Sequence, residues 1–513
     1  MKTFHNRRRM ATWALVAAAL TNLFMAACQR PPQVPGQYTA TQERPLMFPD
    51  YTDITCPYNI APLNFKIMNP GKTCVAELDG QHGSLTAESD GEGKIRFTPE
   101  EWKSLLEKHK GDSLTARLYV KDGKGWRMLR PYMLHIAAEP IDSFLTYRLI
   151  EPGYVAYKSM GIYQRDLTTF EVKTVYETQE NRCVNCHNYQ GQDTRRMMLH
   201  VRGHQGGTVV CDNGRTEKVR FPTETPYGAT YPAWHPARPW LVFSSNKTYQ
   251  AFHVSHPEKV EVQDIASDLI FYDHAHRSVR YILQTDSVLE TFPHWSPDGR
   301  RLYFTAAHVP AMGPLSPEDQ AAYAMEHYRE LRYDILYMDF NDSTQTFGSP
   351  HTLVFCSTSG KSASQVRVSP DGRYLLYTLA GYGQFHIWHK DADLWVCDLS
   401  EAQPVPRPLA AANSKEADSF HSWSSNGRWV AFSTRRDDGN YTRAYLAYFD
   451  RNGQAHKAFM LPQEDPDYHF RLLKSFNVPE LSRNAVSLSR EEMEKAVNGT
   501  QTGEIVFDPA HAR

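Results

Sequence analysis

Trp295-Ser296-Pro297-Asp298-Gly299-Arg300-Arg301-Leu302-Tyr303-Phe304-Thr305 returns as Val368-Ser369-Pro370-Asp371-Gly372-Arg373-Tyr374-Leu375-Leu376-Tyr377-Thr378. It returns again as Trp423-Ser424-Ser425-Asn426-Gly427-Arg428-Trp429-Val430-Ala431-Phe432-Ser433, and a looser copy starts at Trp234-His235-Pro236. Ser-Pro-Asp-Gly makes a tight turn, because Pro fixes one φ and Gly accepts a positive one; the β-branched and aromatic run behind it is a strand. A second recurring element, a short strand closed by an aspartate, ends at Asp166, Asp212, Asp273, Asp339, Asp398 and Asp450. Most of these closings lie further apart than the roughly 40–50 residues of a four-stranded blade, so the pattern predicts six blades with the surplus in loops.

These turns resemble those of the TolB-type six-bladed β-propeller family. The resemblance covers residues 147–481 and implies an all-β fold; it is a signature of the blade, so function has to be read from a site. Residues 41–145 carry β-rich runs such as Leu114-Thr115-Ala116-Arg117-Leu118-Tyr119-Val120 and predict a small β-sandwich-like domain, immunoglobulin-like in its strand spacing. Thr98-Pro99-Glu100-Glu101 predicts a short helix through Lys108. Cys56 and Cys74 are close enough in sequence to form a disulfide, or to stand as buried free thiols; both readings are open. Residues 482–513 read as a C-terminal tail.

The N-terminus carries an address. Arg7-Arg8-Arg9 and the apolar run 11–27 form the basic and apolar regions of a secretory signal, too short for a membrane span. Phe24-Met25-Ala26-Ala27-Cys28 resembles the lipobox of bacterial lipoproteins, which implies that residues 1–28 are signal and that Cys28 is lipidated and holds the protein on a membrane. An ordinary cleaved signal is the competing reading, and both imply export. The lipobox resemblance, with Gln29 after the cysteine, implies the outer membrane, facing the periplasm. Residues 29–40 read as a Pro-rich tether. With 41% hydrophobic and 12% aromatic residues and a formal charge of −2, the remainder is an ordinary globular chain, and no basic excess points to nucleic acid.

Chemistry enters at Cys183-Val184-Asn185-Cys186-His187. CxxCH is the attachment signature of haem c: two thiols for thioethers and an imidazole for the iron. Eight Cys and 22 His in 513 residues predict about 0.005 accidental occurrences per chain. A zinc knuckle would want a second ligand pair, whereas Cys211, Cys356 and Cys397 are scattered; a thioredoxin-like dithiol would want a helix where residues 188–193 read as loop. An ungapped alignment sets residues 183–187 against 288–292, at the approach to the first strand of the second blade. This placement predicts a single haem at the propeller rim, with insertions at 246–267, 306–333 and 380–392 covering its edge and a helix from Ser316 to about Leu331.

For the second axial ligand the candidates are His200, His204 and Met198, with Met198 and His200 on one face of a strand; behind them stand His253, His256, His308, His386 and His389. A His or Met there implies electron transfer, and an open position implies ligand or peroxide chemistry. The expected function is that of a monohaem c-type cytochrome-like lipoprotein passing electrons to or from a redox partner docked on the propeller. The alternative is a protein-binding scaffold of the cell envelope in which haem is a sensor or structural element; a haem-dependent oxidoreductase on a small molecule is a third. No nucleophile elbow or catalytic triad is readable.

Overall fold

A computed structural model describes residues 32–151, 160–178, 182–204, 206–253, 255–500 and 503–509. The basic and apolar leader, Cys28 and residues 29–31 lie outside the described residues.

Six four-stranded antiparallel units make up the ring, and blades 2 to 6 follow one another along the chain, each wound from the inside out. Blade 2 runs Arg182–Gln190, Asp193–Gly203, Gly207–Asp212 and Arg215–Arg220; blade 3 starts on Thr230–Trp234, blade 4 on Val288–Trp295, blade 5 on Ser362–Val368 and blade 6 on Asp418–Trp423. Blade 1 is composite. Its three outer strands, Phe144–Ile150, Gly161–Asp166 and Val172–Glu177, come first in the chain, and its innermost strand, Ser475–Ser482, comes from near the end. Each innermost strand packs against the next, from blade 2 round to blade 1 and back, so the six close a ring about a central channel. The fold is a six-bladed β-propeller, as the repeats predict.

The repeated turn works as its residues dictate. In blade 4, Ser296 Oγ donates to Asp298 at 2.6 Å and accepts from the Arg301 amide at 2.9 Å, while Gly299 takes φ 71°. Blades 5 and 6 repeat the contact from Ser369 to the Tyr374 amide and from Ser424 to the Trp429 amide. Blade 3 has His235 in the serine's place, and its Nδ1 accepts instead from the amides of Ala237 and Arg238. Apolar clusters fill every gap between blades: Trp234, Leu241 and Ile270 face Met198 of blade 2, and Trp295, Leu302 and Phe304 face Val242 of blade 3.

The N-terminal domain has a seven-stranded and a three-stranded sheet enclosing one core with the helix Pro99–Lys108, which buries Trp102, Leu105 and Leu106. Two parallel pairings, Tyr132–Ala137 with Ile54–Pro57 and Thr39–Ala40 with Gly125–Met128, depart from an all-antiparallel immunoglobulin pattern. Cys56 and Cys74 are both buried free thiols. The same core continues into Leu145 and Tyr147 of blade 1 and Trp429 and Leu446 of blade 6, so the domain is fused to the propeller rather than hung from it.

Both chain ends correct the sequence reading. The stretch read as a tether is docked from Pro32 onward, its carbonyl accepting from Thr86 Oγ1 at 2.8 Å and Thr39–Ala40 pairing as a strand. The stretch read as a tail is a strap: the helix Arg490–Asn498 buries Met493 and Val497 against blades 1 and 2. Gly503–Glu504 then adds a fifth strand to blade 2, and Val506–Phe507 a fifth strand to blade 3. The insertion at 246–267 is a continuation of two strands, Trp240–Phe252 and Val260–Asp273, into a long ribbon. The expected second helix is Pro317–His327, with a further 3-10 turn at Tyr328–Glu330.

Candidate functional site: the central channel

All six innermost strands share one irregularity, an extra residue against the second strand. The ladder shifts between Val184 and Cys186, Thr230 and Ala233, Thr291 and His294, Ser364 and Arg367, and Ser419 and Ser422; in blade 1 it shifts between the pairs Arg148–Asn477 and Thr146–Glu480. At the extra position Tyr231, Phe292, Gln365, Phe420 and Val478 take φ of 47°, 52°, 57°, 49° and 47°. Left-handed backbone at a residue with a side chain costs on the order of 1–2 kcal/mol, a strain that the closed ring holds in place. All five line the channel.

Aligned on this bulge, Cys186-His187 occupies the place of Pro232-Ala233, Pro293-His294, Val366-Arg367, His421-Ser422 and Pro479-Glu480. The motif therefore lies within the innermost strand of blade 2 rather than on the rim before it. It matches residues 290–294 and not 288–292, because the turn after it is three residues longer: Asn188 pairs with Met198, ten residues on, whereas Trp295 pairs with Leu302, seven residues on. His187, Ala233, His294, Arg367, Ser422 and Glu480 form one ring around a cavity of about 420 Å³.

The bulge also decides where the thiols point. Cys183 pairs with Arg202 and Cys186 with His200. Those partners are two residues apart on a regular strand, so both thiols share a face; without the extra residue, side chains three apart would oppose each other. By register that face also carries Met198, which looks toward blade 3, although Cys183 at the start of the strand packs on the cluster between blades 1 and 2; His187, opposite Leu199, looks toward blade 1. Cys183, Cys186 and His187 all border the cavity.

His187 is a buried base with nothing to hold. Neither ring nitrogen has a hydrogen-bond partner among the described residues, and burial, with Arg148 beside it, lowers its pKa to about 3. Its Nε2 stands 3.6 Å from Glu480 Oε2, too far for a hydrogen bond. Glu480 Oε1 accepts from the Tyr189 amide and from Asn188 Nδ2, each at 3.0 Å; burial nevertheless pushes this carboxyl up to about 8. Burial likewise raises the Cys186 thiol.

The expected distal ligands are elsewhere. Met198 is wholly buried between blades 2 and 3, His200 Nδ1 is hydrogen-bonded to Thr208 Oγ1 at 2.9 Å, and His204 lies in the exposed turn after the second strand. None lines the cavity, nor do His253, His256, His308, His386 or His389. The imidazoles that do are His187, His294 and His421, on alternate blades. Their signal was in the sequence: Phe292-Pro293-His294-Trp295 repeats Tyr231-Pro232-Ala233-Trp234. Among the described residues no group of three His, Cys, Asp or Glu could hold a bare metal ion.

Two of the three insertions reach the channel mouth. Thr248, Gln250, Val260 and Val262 come from the ribbon, and Phe385, Ile387 and Trp388 from 380–392. The helical insertion supplies no lining residue; its Met312 and Ala324 pack on Ile265 and buttress the ribbon.

No family model and no curated protein matches the chain. Among solved structures it is similar to TolB from Acinetobacter baumannii, at 12% identity over 75% of this chain and 85% of that one, TM-score 0.41. It is also similar to the β-propeller domain of Cps50 (Swd1) from Myceliophteria thermophila, at 12% identity over 64% and 91%, TM-score 0.32. The propeller assignment stands on the blade topology itself.

Proposed function

We propose that this chain is an exported c-type cytochrome-like lipoprotein that carries one covalent haem in its propeller channel and exchanges electrons with a protein docked on the propeller. One observation carries the reading: the two thiols of the CxxCH motif share a face, and they border the same cavity as an imidazole with no hydrogen-bond partner. The donor set fits haem c. Cys183 and Cys186 would hold it through thioethers and His187 would face the iron; the group supplies one-electron storage.

The chain's own part is enclosure. Phe292, Phe385, Trp388 and Phe420 give the channel an apolar lining, which keeps water away and lowers the local dielectric, one of the levers on a haem potential. Anchoring through Cys28 to the outer membrane, on its periplasmic side, belongs to the same proposal.

Haem staining of a denaturing gel tests it. The protein made in a host with haem-attachment machinery should stain, and Cys186→Ala should not; an unstained native band overturns the reading. A protein-binding scaffold is the second reading. It is favoured by the apolar clusters that fill each gap between blades, so the ring closes without a cofactor. Capture of one envelope protein equally by native and Cys186→Ala chains would support it.

A further inference from the structure

Opposite the motif, three blades round the ring, Arg367 projects from the innermost strand of blade 5. An arginine partly buried in a channel wall is ordinarily paired, because an uncompensated charge away from bulk water is costly. Arg367 is not: its Nη1 donates to the Val366 carbonyl at 2.9 Å, and no carboxylate among the described residues lies within 4 Å of it. Glu480 is the acid near enough to act on it, and it lies beyond 4 Å.

The neighbours on both sides are imidazoles. His421 Nε2 donates to the Leu376 carbonyl at 3.2 Å, and the Gln365 backbone also lies against the ring, while its buried Nδ1 makes no hydrogen bond of normal geometry. His294 is hydrogen-bonded to the Val368 backbone. Both border the cavity, and burial and the charge of Arg367 keep both neutral. A guanidinium lacking its anion thus stands beside a nitrogen lacking its proton donor.

We infer that Arg367, His421 and His294 form an oxyanion site on the channel wall facing the CxxCH motif. The ligand is a small oxyanion whose charged oxygen meets the guanidinium, as in a carboxylate or hydrogen phosphate; where the anion also carries an O–H, as hydrogen phosphate does, His421 Nδ1 can accept it. That group comes either from a free oxyanion or from the carboxylates of the haem. The second source rests on the proposed haem; the first does not.

Thermal melts and titration calorimetry with inorganic phosphate as probe test it, in buffer otherwise free of oxyanions. The haem-free Cys183→Ala/Cys186→Ala chain should bind phosphate saturably and melt higher with it. Arg367→Met should lose that response yet melt no lower than its parent without phosphate, because an unpaired guanidinium has been removed; a purely structural arginine would make it melt lower. Arg367→Lys keeps the charge without the fork and should bind more than about tenfold more weakly.

A response in both haem-loaded and haem-free chains identifies a free oxyanion. A response in the haem-free chain alone identifies the haem's own carboxylate as the group on Arg367. No response in the haem-free chain, or an unchanged response in Arg367→Met, overturns the site. An unstained native band would remove the haem and leave the haem-free measurement standing.

Discussion

His187 Nε2 and Glu480 Oε2 face each other at 3.6 Å across the joint between the first innermost strand of the ring and the last, and no hydrogen bond joins them. The imidazole therefore contributes no polar contact to the fold. Replacing a buried, unsatisfied polar group by an apolar one of similar size is close to neutral. His187→Leu in the haem-free chain should change unfolding free energy by less than about 1 kcal/mol in urea titration; a loss above about 2 kcal/mol would make His187 a structural residue.

Asn185 gives the thiols a shared face across a two-residue spacer, since it is the extra residue between Val184 and Cys186. Deleting it would make the ladder regular with Cys183 and Cys186 two residues apart and still on one face, but would shorten the spacer between the thiols from two residues to one. The deletion should abolish haem staining while the far-ultraviolet spectrum stays that of a β protein; undiminished staining would show that attachment does not depend on the spacing the bulge allows.

Met198 and His200 offer a contrast between packing and ligation. Met198→Ala empties a site in the core between blades 2 and 3 and should cost about 2–5 kcal/mol. The haem spectrum of Met198→Ala, His200→Ala and His204→Ala should be unaltered, because none borders the channel. A change of spin state in any of the three would restore it as a ligand.

Glu290, on the innermost strand of blade 4, is buried with Oε2 unpartnered, and burial with the nearby charge of Asp268 raises its pKa to about 9. Its folded pKa exceeds its unfolded value of 4.5, so the folded state holds the proton more tightly. Stability should fall as pH rises from about 4.5 toward 9. Asp264, raised to about 7 by burial, adds in the same direction. Glu290→Gln should flatten the slope of melting temperature between pH 5 and pH 9 by the equivalent of about 1–3 kcal/mol; an unchanged slope would place the titration elsewhere.

The blades were legible because Ser-Pro-Asp-Gly and the closing aspartates are local signals, each fixing its own turn. The helix Pro99–Lys108 was legible for the same reason. The register of the motif was not: the turn after Asn188 is longer than in the other blades, and an ungapped alignment absorbs that difference as a false shift. Nor was the strap, since Met493 and Val497 look like any amphipathic helix until blades 1 and 2 supply the surface they cover. The channel histidines, His294 and His421, lie far from the motif in sequence, and only the propeller, which brings together one position from every blade, sets them beside it.

Ser475–Ser482 closes the ring, and it is almost the last strand to be made. A chain synthesised from its N-terminus has produced Cys183, Cys186 and His187 nearly three hundred residues before Glu480 and Leu481 arrive to wall them in. Until then blade 1 lacks its inner strand and blade 2 its neighbour. The motif is thus exposed longest of all the innermost-strand positions, an interval in which a bulky group could be fastened to it before the door shuts.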